Sequence, residues 1–386
     1  MKRLSFILMM IAALAVSQPA DCCTTAIFSG KVTEDGRPII WKNRDGSFLQ
    51  NRVEYVSAND SIKYSFVYLS NSNPSKEAWS GLNSEGFSIM NSVSYNIRQE
   101  GDNTPDIQMD REGFVMYLAL ATCKTVQDFE NLLDNLEKPM GLEANFGVID
   151  AYGGAAYYET NNYTWIKYDV NEAPEGYIIR SNYSFSGREG EGQGYVRYDN
   201  AEKIIKDHLN SGGKITPRFV MDNLSRNFYQ SYFDFDPIDK GYNNFVDKDF
   251  IPRRSTLSTT IVQGVKPQED ASLAVMWTSL GYPPVSQIVP VMVCAGKNLP
   301  KDMLAGKDKN SAACTRALQR KGEVLFKSSS GTTYVDLQEM QRYRSQIQAA
   351  ENGMFEKFSG MQEYWRERNA ADVKQLKRFY EELEIR

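Results

Sequence analysis

Apolar and polar positions along this chain follow two periods in turn, and the points where one gives way to the other outline its architecture. After residue 22, residues 24–30 are a small apolar run, Thr33-Glu34-Asp35-Gly36 has the composition of a turn, and residues 38–45 return, which predicts a hairpin. Residues 53–56 and 62–69 predict two further strands. In the latter, Tyr64, Phe66 and Tyr68 alternate with Ser65 and Val67, the pattern of a sheet with one buried face. Asn83-Ser84-Glu85-Gly86 turns the chain into another strand at 87–94. The period then lengthens. Phe114, Tyr117, Leu118 and Ala121 recur at three and four, and Val126, Phe129, Leu132 and Leu133 continue the pattern, which predicts two helices. Strands resume at 144–150, 155–159, 164–170 and 176–180, helices at 198–209 and 216–224, and strands again at 256–262 and 272–277. Sheet, helix pair, sheet, helix pair, sheet is the order of an α+β sandwich: two antiparallel sheets covered on each side by helices.

A composition shift at Ser328-Ser329-Ser330-Gly331 sets off a charged, helical stretch at 334–350 and 352–383. Met340, Tyr343 and Ile347 make one stripe there, and Met354, Phe358 and Met361 another, as in a packing appendage or dimer contact. The 386 residues leave room for about two domains. A formal net charge of −5, with no basic stripe, argues against nucleic acid or anionic membranes as main partners. No metal-ligand cluster or phosphate loop is visible, so neither a metal nor a nucleotide cofactor is expected.

The chemistry concentrates near the start. Lys2-Arg3, the apolar run 4–14 and Ala15-Val16-Ser17 have the layout of a signal peptide. Cutting after Ser17 leaves residues 18–22 as a short propeptide; cutting after Cys22, with Ala20 and Cys22 as the small pair, exposes Cys23 directly. Both stay open. A lipid-anchored Cys22 fits less well, since Pro19 and Asp21 occupy positions where such sites favour an aliphatic and a small residue. Either cut that reaches Cys23 makes a thiol the first residue. His208 is the only histidine and shares a helix face with Ile204, Ile205 and Leu209, so it reads as a packed side chain rather than a base. A terminal amine, titrating near ~8 beside a thiol near ~8.5, can take the proton instead. Of the other cysteines, Cys123 in its apolar stretch reads as a core thiol, and Cys294 with Cys314 is the pair whose spacing suggests a bridge.

The segments Cys23-Thr24-Thr25-Ala26, Asp35-Gly36-Arg37-Pro38 and Trp41-Lys42-Asn43-Arg44-Asp45 together resemble the amino terminus of cysteine-type N-terminal nucleophile (Ntn) hydrolases. They are most similar to the family of acyl-coenzyme A:6-aminopenicillanic acid acyltransferase and to the choloylglycine hydrolase and penicillin V acylase group. The resemblance spans roughly residues 23–300 in element order and implies the four-layer αββα fold of those enzymes. It implies that Cys23 attacks an amide carbonyl and that Asp45 holds the new amino terminus. Asn182, in Ile179-Arg180-Ser181-Asn182-Tyr183, would supply an oxyanion donor, and Arg254, in Ile251-Pro252-Arg253-Arg254-Ser255-Thr256, a cation near the thiol. Asn91 falls in the region that lines the substrate or the second oxyanion position. Choloylglycine hydrolases carry Gly-Arg-Asn-x-Asp where this chain has Trp41-Lys42-Asn43-Arg44-Asp45. Lys42 thus stands at the usual arginine, without its flat fork, and Arg44 is added two residues on. Which of the two cations faces the site is open, and Asn145 and Glu159 read equally as structural or functional.

The sequence therefore leads to an exported, periplasmic or secreted, hydrolase of linear amides or an acyltransferase working through an acyl-enzyme. Its organisation is a signal peptide at 1–17, a propeptide or leader remnant at 18–22, an Ntn-hydrolase domain at 23–327 and a helical extension at 332–386. Expected substrates are small-molecule amides: N-acyl amino acids, conjugated bile acids, penicillins or peptide-like compounds. A homo-oligomer through the carboxyl-terminal helices is the expected partner, if any. Two alternatives remain. A cysteine dipeptidase of the same superfamily would cleave free dipeptides in preference to N-acyl amino acids; a non-enzymatic scaffold on the same fold would carry an unreactive Cys23.

Overall fold

Valine, isoleucine and aromatic residues fill the strands, and most of the strands are buried on both faces. The structure, a computed structural model, describes residues 23–71 and 76–386. The expected signal peptide, propeptide and Cys22 lie outside the described residues. The first half runs β1 (Thr24–Phe28), β2 (Ile39–Asp45), β3 (Asn51–Val56), β4 (Phe66–Asn71), β5 (Ser80–Asn83) and β6 (Ser88–Val93), then α1 (Glu112–Thr122) and α2 (Val126–Asn135). Next come β7 (Ala144–Ile149), β8 (Ala155–Thr160), β9 (Trp165–Asp169), β10 (Tyr177–Arg180), α3 (Tyr195–Asn210) and the single turn α4 (Pro217–Phe219). The rest comprises β11 (Asn244–Val246), β12 (Thr256–Gln263), β13 (Val275–Leu280), β14 (Ile288–Val291), α5 (Ala312–Val324), β15 (Leu325–Lys327), β16 (Thr333–Asp336), α6 (Leu337–Glu367) and α7 (Val373–Glu382).

Two antiparallel sheets dominate, one ordered β10-β1-β2-β12-β13-β14 and the other β3-β4-β5-β6-β7-β8-β9. Their inner faces meet through Ile27, Ile40, Leu69, Met90 and Tyr157. α1 and α2 cover the outside of the seven-stranded sheet, where Leu120 and Phe129 pack on Phe66, Phe146 and Tyr158. On the outside of the six-stranded sheet, Ile205 of α3, Leu224 and the apolar side of α6 and α7 share one core with the strands. This is the expected four-layer αββα sandwich of two antiparallel sheets covered on each side by helices.

Several local expectations change. The strand expected at 62–69 forms at Phe66–Asn71 and has no solvent face, because Phe66 and Tyr68 lie under α1 while Val67 and Leu69 enter the core between the sheets. The helix expected at 216–224 is one α-turn continued as a π-helical turn, Val220–Ser225. The charged tail forms one unbroken helix to Glu367, and Tyr334 belongs to β16 instead. Asp372 caps the following helix by accepting the Lys374 and Gln375 N–H groups, so the break falls there. Cys294 and Cys314 do not pair: Cys314 takes the Asn51 N–H at 3.3 Å and Cys294 lies against the Ser272 carbonyl. Cys123 is a buried thiol whose pKa burial pushes up to about 12. His208 stacks on Phe219 at 3.9 Å and meets the Lys214 carbonyl.

Candidate active site

Strand register brings distant residues to one end of the six-stranded sheet. β1 pairs with β2 through Thr24↔Asn43 and with β10 through Thr25↔Arg180. Continuing those registers places Cys23 between Arg44 on one side and Asn182 on the other. β12 begins at the same end, with Thr256 opposite Asp45. In an antiparallel sheet the starts of β1 and β12 and the ends of β2 and β10 must coincide, and that geometry gathers the site.

Cys23 is only 4% exposed and lines a cavity of about 20 Å³ with Lys42, Arg44, Asp45, Trp79, Asn91, Val93, Asp110 and Glu112. Both cations of the Lys-Asn-Arg run thus line the cavity together with the thiol. Lys42 is buried and reaches across to the second sheet, where its Nζ donates to Asn91 Oδ1 at 2.7 Å and to the Trp79 carbonyl at 2.9 Å. Arg44 lies over the Trp79 ring and donates to Asn51 Oδ1 at 3.1 Å. Burial raises the Cys23 thiol pKa most strongly, Lys42 opposes that, Asp45 adds to it, and Arg44 with the Asp45 backbone amide opposes it again. The net direction is upward.

Asp45 is buried and held on both oxygens. Oδ2 accepts from Arg253 Nε at 2.6 Å and Oδ1 from Thr256 Oγ1 at 2.6 Å. The arginine on Asp45 is thus Arg253, the residue before the one expected near the thiol, and like Arg254 it does not line the Cys23 cavity. Arg254 is exposed, its N–H goes to Asp247 Oδ2 and its guanidinium to Thr333 Oγ1, and it does not line the Cys23 cavity. The reason is local. A tight turn, with Thr256 N–H on the Arg253 carbonyl at 2.7 Å, runs into a register shift between Thr256 and Ser258, and this turns Arg253 inward.

Asn182 is fully buried. Its Nδ2 donates to the Val93 carbonyl at 2.8 Å and its Oδ1 accepts from Arg197 at 2.8 Å. Arg197, in the first turn of α3, also donates to the Cys23 carbonyl at 2.6 Å and to Thr24 Oγ1 at 2.8 Å. One buried guanidinium thus fixes the nucleophile's backbone and the orientation of the Asn182 amide together. Asn145 and Glu159 hold the loop after Asn182: Asn145 Nδ2 donates to the Tyr183 carbonyl, and Glu159 accepts the Phe185 and Ser186 N–H groups while paired with Arg180.

Sequence reasoning missed Arg197, Arg253 and Glu112. Glu112 opens α1, is buried in the cavity wall, and accepts the Glu143 N–H at 2.8 Å; burial, aided by Asp110 and Glu143, pushes its carboxyl up to about 7. An acid at a helix start beside Asp110 was the signal available for it. Among the described residues no group of His, Cys, Asp or Glu has the makings of a metal site. A cleft of about 780 Å³ between residues 297–304 and the carboxyl-terminal end contains no thiol and no residue of this site.

Residues 32–205 match the model of the acyl-coenzyme A:6-aminopenicillanic acid acyl-transferase family, a span that holds Lys42, Arg44, Asp45, Asn91, Asn182 and Arg197 but begins after Cys23. Three of the solved structures that are similar to the chain illustrate the likeness. An N-acylethanolamine-hydrolyzing acid amidase ortholog of Caenorhabditis elegans is 14% identical over 62% of this chain and 92% of its own, with a TM-score of 0.41. A variant of the conjugated bile acid hydrolase of Clostridium perfringens is 11% identical over 70% and 92%, with a TM-score of 0.41. Penicillin V acylase of Agrobacterium tumefaciens is 12% identical over 70% and 86%, also at 0.41. No curated protein sequence matches the chain.

Proposed function

We propose that this chain, whose residues 32–205 match the acyl-coenzyme A:6-aminopenicillanic acid acyl-transferase family model, is an exported hydrolase or acyltransferase of small-molecule linear amides with the Ntn-hydrolase mechanism. Its nucleophile is Cys23, activated when the residues before it are removed. The observation that carries this reading is the convergence of Lys42, Arg44, Asp45 and Asn91 on the cavity that Cys23 lines, with Arg197 tying Cys23 to Asn182.

Processing frees an α-amine on the nucleophile's own backbone. That amine takes the thiol proton as sulfur adds to the amide carbonyl, and the C–S bond forms as the oxygen gains charge. Donors from Asn182 and Asn91 oppose that charge, each worth about 3 kcal/mol of barrier where well placed. The C–N bond then breaks, the amine returns its proton to the leaving nitrogen, and a thioester remains. Water resolves it to a carboxylic acid, an acceptor amine to a new amide. Lys42 and Arg44 offset the burial that keeps the thiol protonated, and Asp45 holds the new terminus. A cavity of about 20 Å³ admits one water-sized occupant and no acyl group, which fits a precursor whose site opens on processing.

The test is intact mass of the exported protein with turnover of an amide panel by wild type and Cys23→Ala. A mature chain starting at Cys23, and loss of about 10³-fold or more in the variant, support the reading. An unprocessed wild type, or a Cys23→Ala protein that turns over the same amides at the wild-type rate, ends it. Retention of the leader by the variant alone would assign the cut to Cys23 itself.

A further inference from the structure

Behind Asp45 lies a buried cluster of charged and polar groups to which the proposed chemistry assigns no role. Lys321, on α5, is 8% exposed and donates from Nζ to the Thr256 carbonyl at 3.0 Å. Thr256 in turn donates its hydroxyl to Asp45 and accepts the Arg253 N–H on that same oxygen at 3.0 Å. The ammonium also faces Asp247 and Cys314 and sits over the Tyr282 ring, 5.4 Å from its centre. Asp247 Oδ1 and Tyr282 Oη are both buried without a hydrogen-bond partner.

We propose that Lys321 is a positioning residue for the reaction. By gripping the Arg253–Thr256 turn and balancing the two carboxylates Asp45 and Asp247 against Arg253, it holds the pair of donors that fixes Asp45 beside Cys23. The proposal rests on the reading of Cys23 as nucleophile. Two features separate this role from simple packing. The Nζ contact is to the turn that places both donors on Asp45, not to a remote part of the fold. Lys321 also adds an ammonium on the side of Asp45 and Asp247 away from Arg253 and Arg254, so a neutral side chain of the same length leaves those two carboxylates with less positive charge around them. Burial lowers the Lys321 pKa to about 8 while Asp45, Asp247 and Cys314 resist that, so the side chain carries its charge at neutral pH.

The experiment compares mature wild type, Lys321→Met, which keeps the length and apolar stem, and Lys321→Arg, which keeps the charge. The readouts are kcat, KM and the pH dependence of Cys23 alkylation by iodoacetamide. Lys321→Met is expected to lose about tenfold or more in kcat with KM changed less than about threefold. Its alkylation midpoint is expected to move to higher pH, and Lys321→Arg to recover most of both. A Lys321→Met protein with wild-type kcat and alkylation profile overturns the proposal. Should that variant not fold, Lys321→Gln retains a donor for the Thr256 carbonyl without the charge, and a wild-type profile in it overturns the proposal equally. If wild-type Cys23 itself resists alkylation and supports no turnover, the nucleophile reading has failed and not the assignment of Lys321.

Discussion

Lys42 and Glu112 face the same thiol cavity, and their charges act on it in opposite ways. Lys42 is a compact cation with its donors committed to the second sheet, so its influence on Cys23 is mainly electrostatic. Lys42→Gln keeps a donor for Asn91 and removes the charge. The thiol should then need a higher pH to ionise, and alkylation at pH 7 is expected to slow about tenfold, one pKa unit being about 1.4 kcal/mol. Glu112 predicts a pH dependence of stability. Its carboxyl sits at about 7 when folded against an ordinary 4.5, so the folded state binds the extra proton. Stability therefore falls as pH climbs from about 4.5, and the loss is complete above about 7, reaching on the order of 3 kcal/mol. Glu112→Gln removes that loss. Urea unfolding should find the variant more stable than wild type at pH 8 and close to it at pH 5, and equal gaps at both pH values would refute the assignment.

At the scale of elements, legibility in the sequence tracks how locally each contact is made. The β1–β2 hairpin closes within about twenty residues, so the approach of Asp45 to Cys23 could be anticipated from spacing and turn composition alone. Arg197 reaches Cys23 across 174 residues and from a helix, where no periodicity signals it. The choice of Arg253 over Arg254 depends on a register shift that pattern reading cannot place. The alternation read at residues 64–68 suggested one solvent face, but Phe66–Asn71 is buried on both, because a helix covers the outer face as the second sheet covers the inner one. The clamp on α3 has a consequence of its own. Arg197→Met leaves Asn182 Oδ1 and the Cys23 carbonyl without that donor, so the Asn182 amide loses this hold on its oxygen while keeping its Nδ2 bond to the Val93 carbonyl. kcat should fall about 10- to 100-fold with little change in KM, and Arg197→Lys should recover part of it. A rise in KM at constant kcat would instead mark Arg197 as a substrate-binding residue.

Across the whole molecule, the carboxyl-terminal helices and the site are parts of one load path. The apolar stripe of α6 that suggested a dimer contact is turned onto this chain's own sheet, with Trp277 stacked on Phe355 at 4.7 Å and Phe358 edge-on to it. Glu351, fully buried in the same helix, accepts from Arg226 on two nitrogens and from the Ile288 N–H, while Arg226 also holds the Pro283 and Ser286 carbonyls beside β13. α5 packs between this helix and the sheet and carries Lys321 to the turn under Asp45. Stability and catalysis can therefore be separated by where along the path a change is made. Glu351→Gln breaks a buried ion pair away from Cys23, and because Arg226 keeps Asp222 at 2.8 Å the loss should lie at the low end for such a pair, about 3 kcal/mol. Chemical denaturation should show that loss. The kcat of the fraction that stays folded should match wild type, because Asp45, Arg253 and Thr256 keep their contacts. A variant with normal stability would mean that Glu351 is not carrying the helix onto the sheet. A folded variant with depressed kcat would mean that the path transmits strain to Asp45 as well as load.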